Sequence, residues 1–234
     1  MLHRSQFLGF LGQCTALGAL SVRCGSTRER GTMVSAAVDF NGQALLAGYD
    51  FATETAFRIP IPARGHGTAL HYARPWVVLA DRRPGQALTV FDYQSQRVVR
   101  QIEAEPGRHF FGHVSFSPQR RRLYATQNVY DPSVVPDLTP QTAEVRVFDA
   151  ETLETIDVFS THGIGAHELL IVQDELLAVA NGGSYTHPEL GREKLNLGTM
   201  APSLSLLDPG TGALIAQYDV PEKLASIRHI DFDN

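Results

Sequence analysis

Cysteine is almost missing from this chain. Its two cysteines, Cys14 and Cys24, both lie near the N-terminus. That leaves no disulfide framework, no Cys-x-x-Cys pair for zinc or redox work, and no Cys-x-x-Cys-His for covalent haem attachment. No His-Glu-x-x-His helix motif occurs. Gly163-Ile164-Gly165 lacks the third glycine and the strand–helix–strand setting of a dinucleotide fingerprint, and Ser203 and Ser205 lack the glycines of a nucleophile elbow. A concentrated positive charge is missing too. The formal net charge is −5, and the one dense cationic run, Arg120-Arg121-Arg122, follows Ser117-Pro118 as a hairpin tip. This excludes a nucleic-acid footprint. Helical periodicity is weak throughout, and the apolar stretch Phe7–Leu20 is too short to cross a membrane comfortably.

What is present is repetition. A histidine followed by an alternating strand occurs at His66-Gly67-Thr68-Ala69-Leu70, His113-Val114-Ser115-Phe116, His167-Glu168-Leu169-Leu170 and His229-Ile230-Asp231-Phe232. Between them lie strands ending in aspartate: Val90-Phe91-Asp92, Val147-Phe148-Asp149 and Leu206-Leu207-Asp208. A period of roughly 50 residues built from short strands is the signature of a β-propeller. The expected fold is therefore all-β, with four-stranded blades at about 34–63, 66–105, 110–160 and 167–220 and the start of a fifth at 226–234. In the first, Asn41-Gly42 fits a two-residue type I′ turn, and Phe57–Pro62 reads as an edge strand because proline cannot donate to a ladder. Four blades and a partial fifth make an incomplete ring. Open edges predict instability or edge-to-edge association for the isolated chain.

Residues 1–25 read as an export signal. His3-Arg4-Ser5-Gln6 is a short polar and positive region, and Phe7–Leu20 is an apolar core rich in Gly and Ala. Arg4-Ser5-Gln6-Phe7-Leu8 is similar to a twin-arginine signal with serine at the second arginine, so the twin-arginine and general secretory routes both stay open. Residues 26–234 form the propeller domain. The expected location is periplasmic, with no stable membrane span once the signal is removed.

Several phrases are more specific. They are Thr161-His162-Gly163-Ile164-Gly165-Ala166-His167-Glu168-Leu169, Ala178-Val179-Ala180-Asn181-Gly182-Gly183, Thr186-His187-Pro188, Lys194-Leu195-Asn196-Leu197, Met200-Ala201-Pro202-Ser203-Leu204 and Ser226-Ile227-Arg228-His229. Together they resemble an uncharacterised bacterial family, domain of unknown function 1513, over essentially the whole chain after the signal. The resemblance implies an exported, seven-bladed, YVTN-like propeller, and a chain truncated relative to its family. It also implies gene neighbours of the imelysin and di-haem-oxidase types and a link to periplasmic iron handling. The family supplies no catalytic residues.

The candidate site follows from superposing the blades. If each recurring histidine opens the innermost strand of its blade, His66, His113, His167 and His229 meet at one mouth of the channel. Imidazole ligates iron, copper or zinc through one neutral nitrogen. His162 and Glu168 are added as candidate ligands because they flank His167. A structural role competes, and is the stronger reading from sequence: such histidines pin blades by bonding to turn backbone or to Asp92, Asp149 and Asp208. The loop Asn181–Pro202 carries a second polar set, Asn181, Tyr185, His187, Arg192, Lys194 and Asn196, readable as a ligand or partner site or as a lid. Asn128–Thr142, with Tyr130, Asp131 and Asp137, is a weaker version. The expected function is a non-enzymatic binding or scaffold protein, in iron or other metal handling, with another periplasmic protein as partner. The alternative is an oxidoreductase or redox-partner subunit using a haem, quinone or metal centre.

Overall fold

A computed structural model describes residues 31–138, 140–222 and 224–233; the expected export signal lies outside these. Four antiparallel sheets follow one another along the chain. The first has three strands, β1 (Thr32–Val38), β2 (Ala44–Asp50) and β3 (Thr55–Pro60). The second holds β4 (Gly65–Leu70), β5 (Trp76–Asp81), β6 (Ala87–Asp92) and β7 (Arg97–Glu103). The third holds β8 (Arg108–Ser117), β9 (Arg122–Val129), β10 (Ala143–Asp149) and β11 (Thr155–Ser160). The fourth holds β12 (Ala166–Val172), β13 (Leu176–Asn181), β14 (Ser203–Leu207) and β15 (Leu214–Asp219). In each, strands pair in chain order, and β4, β8 and β12 are neighbours in space. This is the blade arrangement of a β-propeller, and among the described residues it does not close into a ring.

The apolar runs explain the stacking. Val77 and Leu79 of β5 pack with Leu46, Phe57 and Ile59 of the first sheet. Their alternates, Val78 and Ala80, pack with Phe110, Leu123 and Phe148 of the third. A strand buried on both faces must be apolar at every position, which is why Val77-Val78-Leu79-Ala80 does not alternate. The core between the third and fourth sheets is built the same way, from Tyr124, Val145 and Val147 against Leu169, Leu177 and Val179. Each such side chain contributes roughly 1.5–3 kcal/mol by leaving water.

The aspartates close turns rather than pin histidines. Asp50, Asp92, Asp149 and Asp208 each accept the backbone N–H groups two and three residues on. The fourth residue after each is left-handed: Glu54 at φ 56°, Gln96 at 56°, Leu153 at 60° and Gly212 at 73°. In the last three sheets this turn joins the third strand to the fourth; in the first it joins β2 to β3. The strands β1 to β3 are thus the outer three of a blade, whose innermost strand is not among the described residues.

One local expectation is corrected. The β1–β2 connection is not a two-residue turn. It spans residues 39–43 and is closed by Asp39 N donating to Gln43 O at 3.0 Å. The Asp39 carboxylate accepts from Asn41 N and Gln43 N, which rewards the longer loop. Residues 226–233, where a fifth blade is expected to start, pair with none of the described strands. A side-chain bond anchors this tail instead, with Ile230 N donating to Glu168 Oε2 at 2.8 Å.

Candidate functional site

Each of three inner strands breaks register at its histidine. The β4–β5 ladder slips between Gly65 and Thr68, around His66. The β8–β9 ladder slips between Phe110 and Val114, around His113. The β12–β13 ladder slips between Ala166 and Leu169, around His167. Extra residues in one strand, one each in β4 and β12 and two in β8, re-aim side chains, and the three breaks aim these rings at one place. Glycines let the strands close there. Gly112 has φ 106°, a conformation side chains disfavour, and a Cβ on it would lie 2.6 Å from His66 Cδ2. A Cβ on Gly67 would lie 2.4 Å from Gly112 O.

The tail brings His229 to the same point. The four imidazoles offer ligand nitrogens all within 4.8 Å of one another. Ring centroids are 4.7 Å apart for His113 and His167, 4.8 Å for His66 and His113, and 5.2 Å for His167 and His229. Glu168 stands behind them rather than among them. Its carboxylate lies 3.5 Å from His113 Nδ1 and 3.4 Å from His229 Nδ1. That leaves His113 Nε2 facing the cluster. His113 Nε2 and His167 Nδ1 are buried with no hydrogen-bond partner among the described residues. Burial pulls His113 down to about 3 and His167 to about 2, helped by neighbouring histidines. His66 is lowered by burial and by His229. His113 and His167 are therefore neutral near pH 7 and able to ligate.

His162 is not in this group. It is exposed with φ 56°, and its carbonyl accepts Gln217 Nε2 at 2.7 Å, so it shapes the turn before β12. The Asn181–Pro202 loop is a tied structure. Asn181 is buried and donates to Ser203 and Ser205 hydroxyls. Asn196 braces the loop by accepting Tyr185 N at 2.7 Å and donating to Gly183 O at 3.1 Å. His187 is buried, accepts Glu189 N, and meets the Tyr130 ring edge-on at 5.0 Å. Lys194 is half-buried, its Nζ 3.9 Å from Met200 Sδ. Of this set, Arg192 lines a pocket beside the histidines, together with Arg64, Arg82 and Arg83. In the weaker loop, Asp137 is buried and accepts Asp131 N at 2.7 Å.

Sequence reasoning missed those other arginines. They come from turns before β4 and after β5, and nothing in their spacing marks them. It also missed that Glu168 serves two histidines; its place next to His167 was the available signal.

In fold, the protein resembles two solved structures. One is Sqt1 of Saccharomyces cerevisiae, with a TM-score of 0.51 and 11% identity over 80% of this chain and 44% of that one. The other is the Dos1 propeller, with a TM-score of 0.50 and 12% identity over 82% of this chain and 50% of that one. The chain thus spans about half the length of the propellers it matches. No curated protein matches it significantly in sequence. No described helix is long and apolar enough to cross a membrane. The sequence pattern of one family of unknown function matches residues 59–234, and the chain belongs to that family, DUF1513.

Proposed function

We propose that this propeller is a metal-binding module acting outside the cytoplasm, holding a first-row transition-metal ion among His66, His113, His167 and His229. One observation carries the reading: two buried imidazole nitrogens, on His113 and His167, lack hydrogen-bond partners among the described residues inside a four-histidine group. A buried polar atom without a partner costs about 1–3 kcal/mol, and an ion removes that cost. The donor set fits. Neutral imidazoles suit zinc, copper, iron and nickel rather than magnesium or calcium. Drawing four nitrogens to about 2.0–2.1 Å from one ion requires the outer rings to swing inward by about an ångström, and His66 and His229 are exposed enough to do so. Glu168 would orient His113 and His229 and raise their basicity, as carboxylates behind metal-bound histidines do. Export is supported by the signal-like Phe7–Leu20 stretch. A role in handling metal together with a partner protein accords with the family resemblance.

The test is a thermal melt of the full chain with zinc, copper(II), iron(II) and magnesium. One or more of the first three should raise Tm while magnesium does not. If none does, the histidines are structural.

A further inference from the structure

A second group of side chains lies beside the histidines. Arg64, Arg82, Arg83 and Arg192 line a concavity of about 470 Å³. Arg228, next to His229 in the tail, is close enough to repel Arg83 and Arg192 electrostatically. Elsewhere in the molecule, arginines that are not fully exposed bond to oxygen. Arg100 pairs with Glu154 at 2.8 Å, Arg108 with Glu144 at 2.9 Å and Arg146 with Glu105 at 3.3 Å, and Arg122 donates to two carbonyls. Arg82, Arg83 and Arg228 are likewise not fully exposed, yet their guanidinium groups meet no carboxylate or carbonyl among the described residues. The one carboxylate lining the pocket, Asp81, is turned to the backbone and accepts Ala87 N at 3.1 Å.

Five like charges gathered with a single carboxylate, itself turned to the backbone, repel one another. Arg83 shows the result: burial, then Arg228, Arg192 and Arg82, pull it down to about 10. Its position is fixed. Its guanidinium lies 5.0 Å from the centre of the Phe111 ring, and Phe111 meets His167 edge-on at 5.8 Å. Arg64 and Arg82 also line the adjoining pocket that His66 lines, so the arginines border the histidine cluster.

We propose that Arg82, Arg83, Arg192 and Arg228 form a binding site for a small, multiply charged oxyanion, of carboxylate or phosphate chemistry, opening onto the histidines. Guanidinium groups present planar forks of donors that match such oxygens two at a time. The volume suits a small molecule rather than a chain. The site stands on the arginines alone and does not require a metal at the histidines.

The experiment is a metal-free melt of the full chain in citrate, in inorganic phosphate, and in chloride at equal ionic strength. Arg83→Gln, Arg192→Gln and a His113→Ala/His167→Ala pair are run beside it. Citrate, phosphate or both should raise Tm beyond chloride, and the one that does identifies the oxyanion chemistry. The apparent affinity should fall tenfold or more in Arg83→Gln and measurably in Arg192→Gln. Arg192 is exposed, so that variant keeps the test valid if Arg83→Gln folds poorly. The histidine pair should retain the response. A rise equal to that in chloride, or one unchanged in both arginine variants, overturns the proposal. Neither result depends on whether metal binds.

Discussion

His71 and the four-histidine group place imidazoles in two contrasting settings. His71, on the turn after β4, is tied to its own turn. Its Nδ1 accepts Ala73 N and Arg74 N at 3.0 Å each, and its Nε2 faces Glu151 of the third sheet at 3.7 Å. Its ring packs among Tyr72, Trp76 and Phe116. It pins two blades together. His113 is half-buried, its Nε2 also out of water and its Nδ1 also faced by a glutamate, but the ring's neighbours are other histidines. Burial alone does not distinguish the two. The difference is what surrounds the ring: two backbone N–H groups and three aromatic side chains in one case, and three other imidazoles in the other.

The largest expected effect is on ligand response. His113→Ala/His167→Ala should abolish the metal-induced rise in Tm. At an ion concentration 100 times Kd, that rise corresponds to about 2.7 kcal/mol. Next, His71→Ala should lower basal stability by about 2 kcal/mol, read by urea unfolding, because its backbone and inter-blade partners are left unpaired. It should leave the metal response intact. If His71→Ala instead removed that response, the distinction between the two groups would fail. Glu168→Gln should weaken metal affinity by about tenfold without abolishing it, since the amide still accepts a bond but no longer supplies charge. A separate test is by pH. His113 and His167 sit far below the ordinary 6.5 when folded, so the unfolded chain binds more protons between about 3 and 6.5. Their contribution to stability is fully present above 6.5 and is lost as pH falls toward 3. Urea unfolding at pH 7.5 and 5 should show a larger loss for the native metal-free chain than for His113→Gln/His167→Gln.

Much of this was legible in the sequence, for physical reasons. Strands buried on both faces must be apolar throughout, and turns need residues such as Asp149 and Gly212, so blades could be counted. Repeats superpose, so a histidine opening each inner strand had to share the channel mouth. Other features were not legible. A bulge is a relation between two strands, and the glycines at 65, 67, 112 and 165 hint at it without stating it. Asp92, Asp149 and Asp208 recur in step with the histidines, but their carboxylates were nearer to their own turn N–H groups. Arg82, Arg83 and Arg228 come from unrelated segments and meet only in space.

The placement of one clustered histidine in each of three sheets and one in the tail has a consequence for folding. A stack of blades is close to one-dimensional, since each sheet packs mainly on the next and the chain can unravel from either end. An ion held by His66 and His229 would act as a clip across nearly the whole folded array. It would close a long loop in the way a cross-link does, and join sheets that are not sequence neighbours. Unfolding would then change from fraying of separate blades to a single cooperative event.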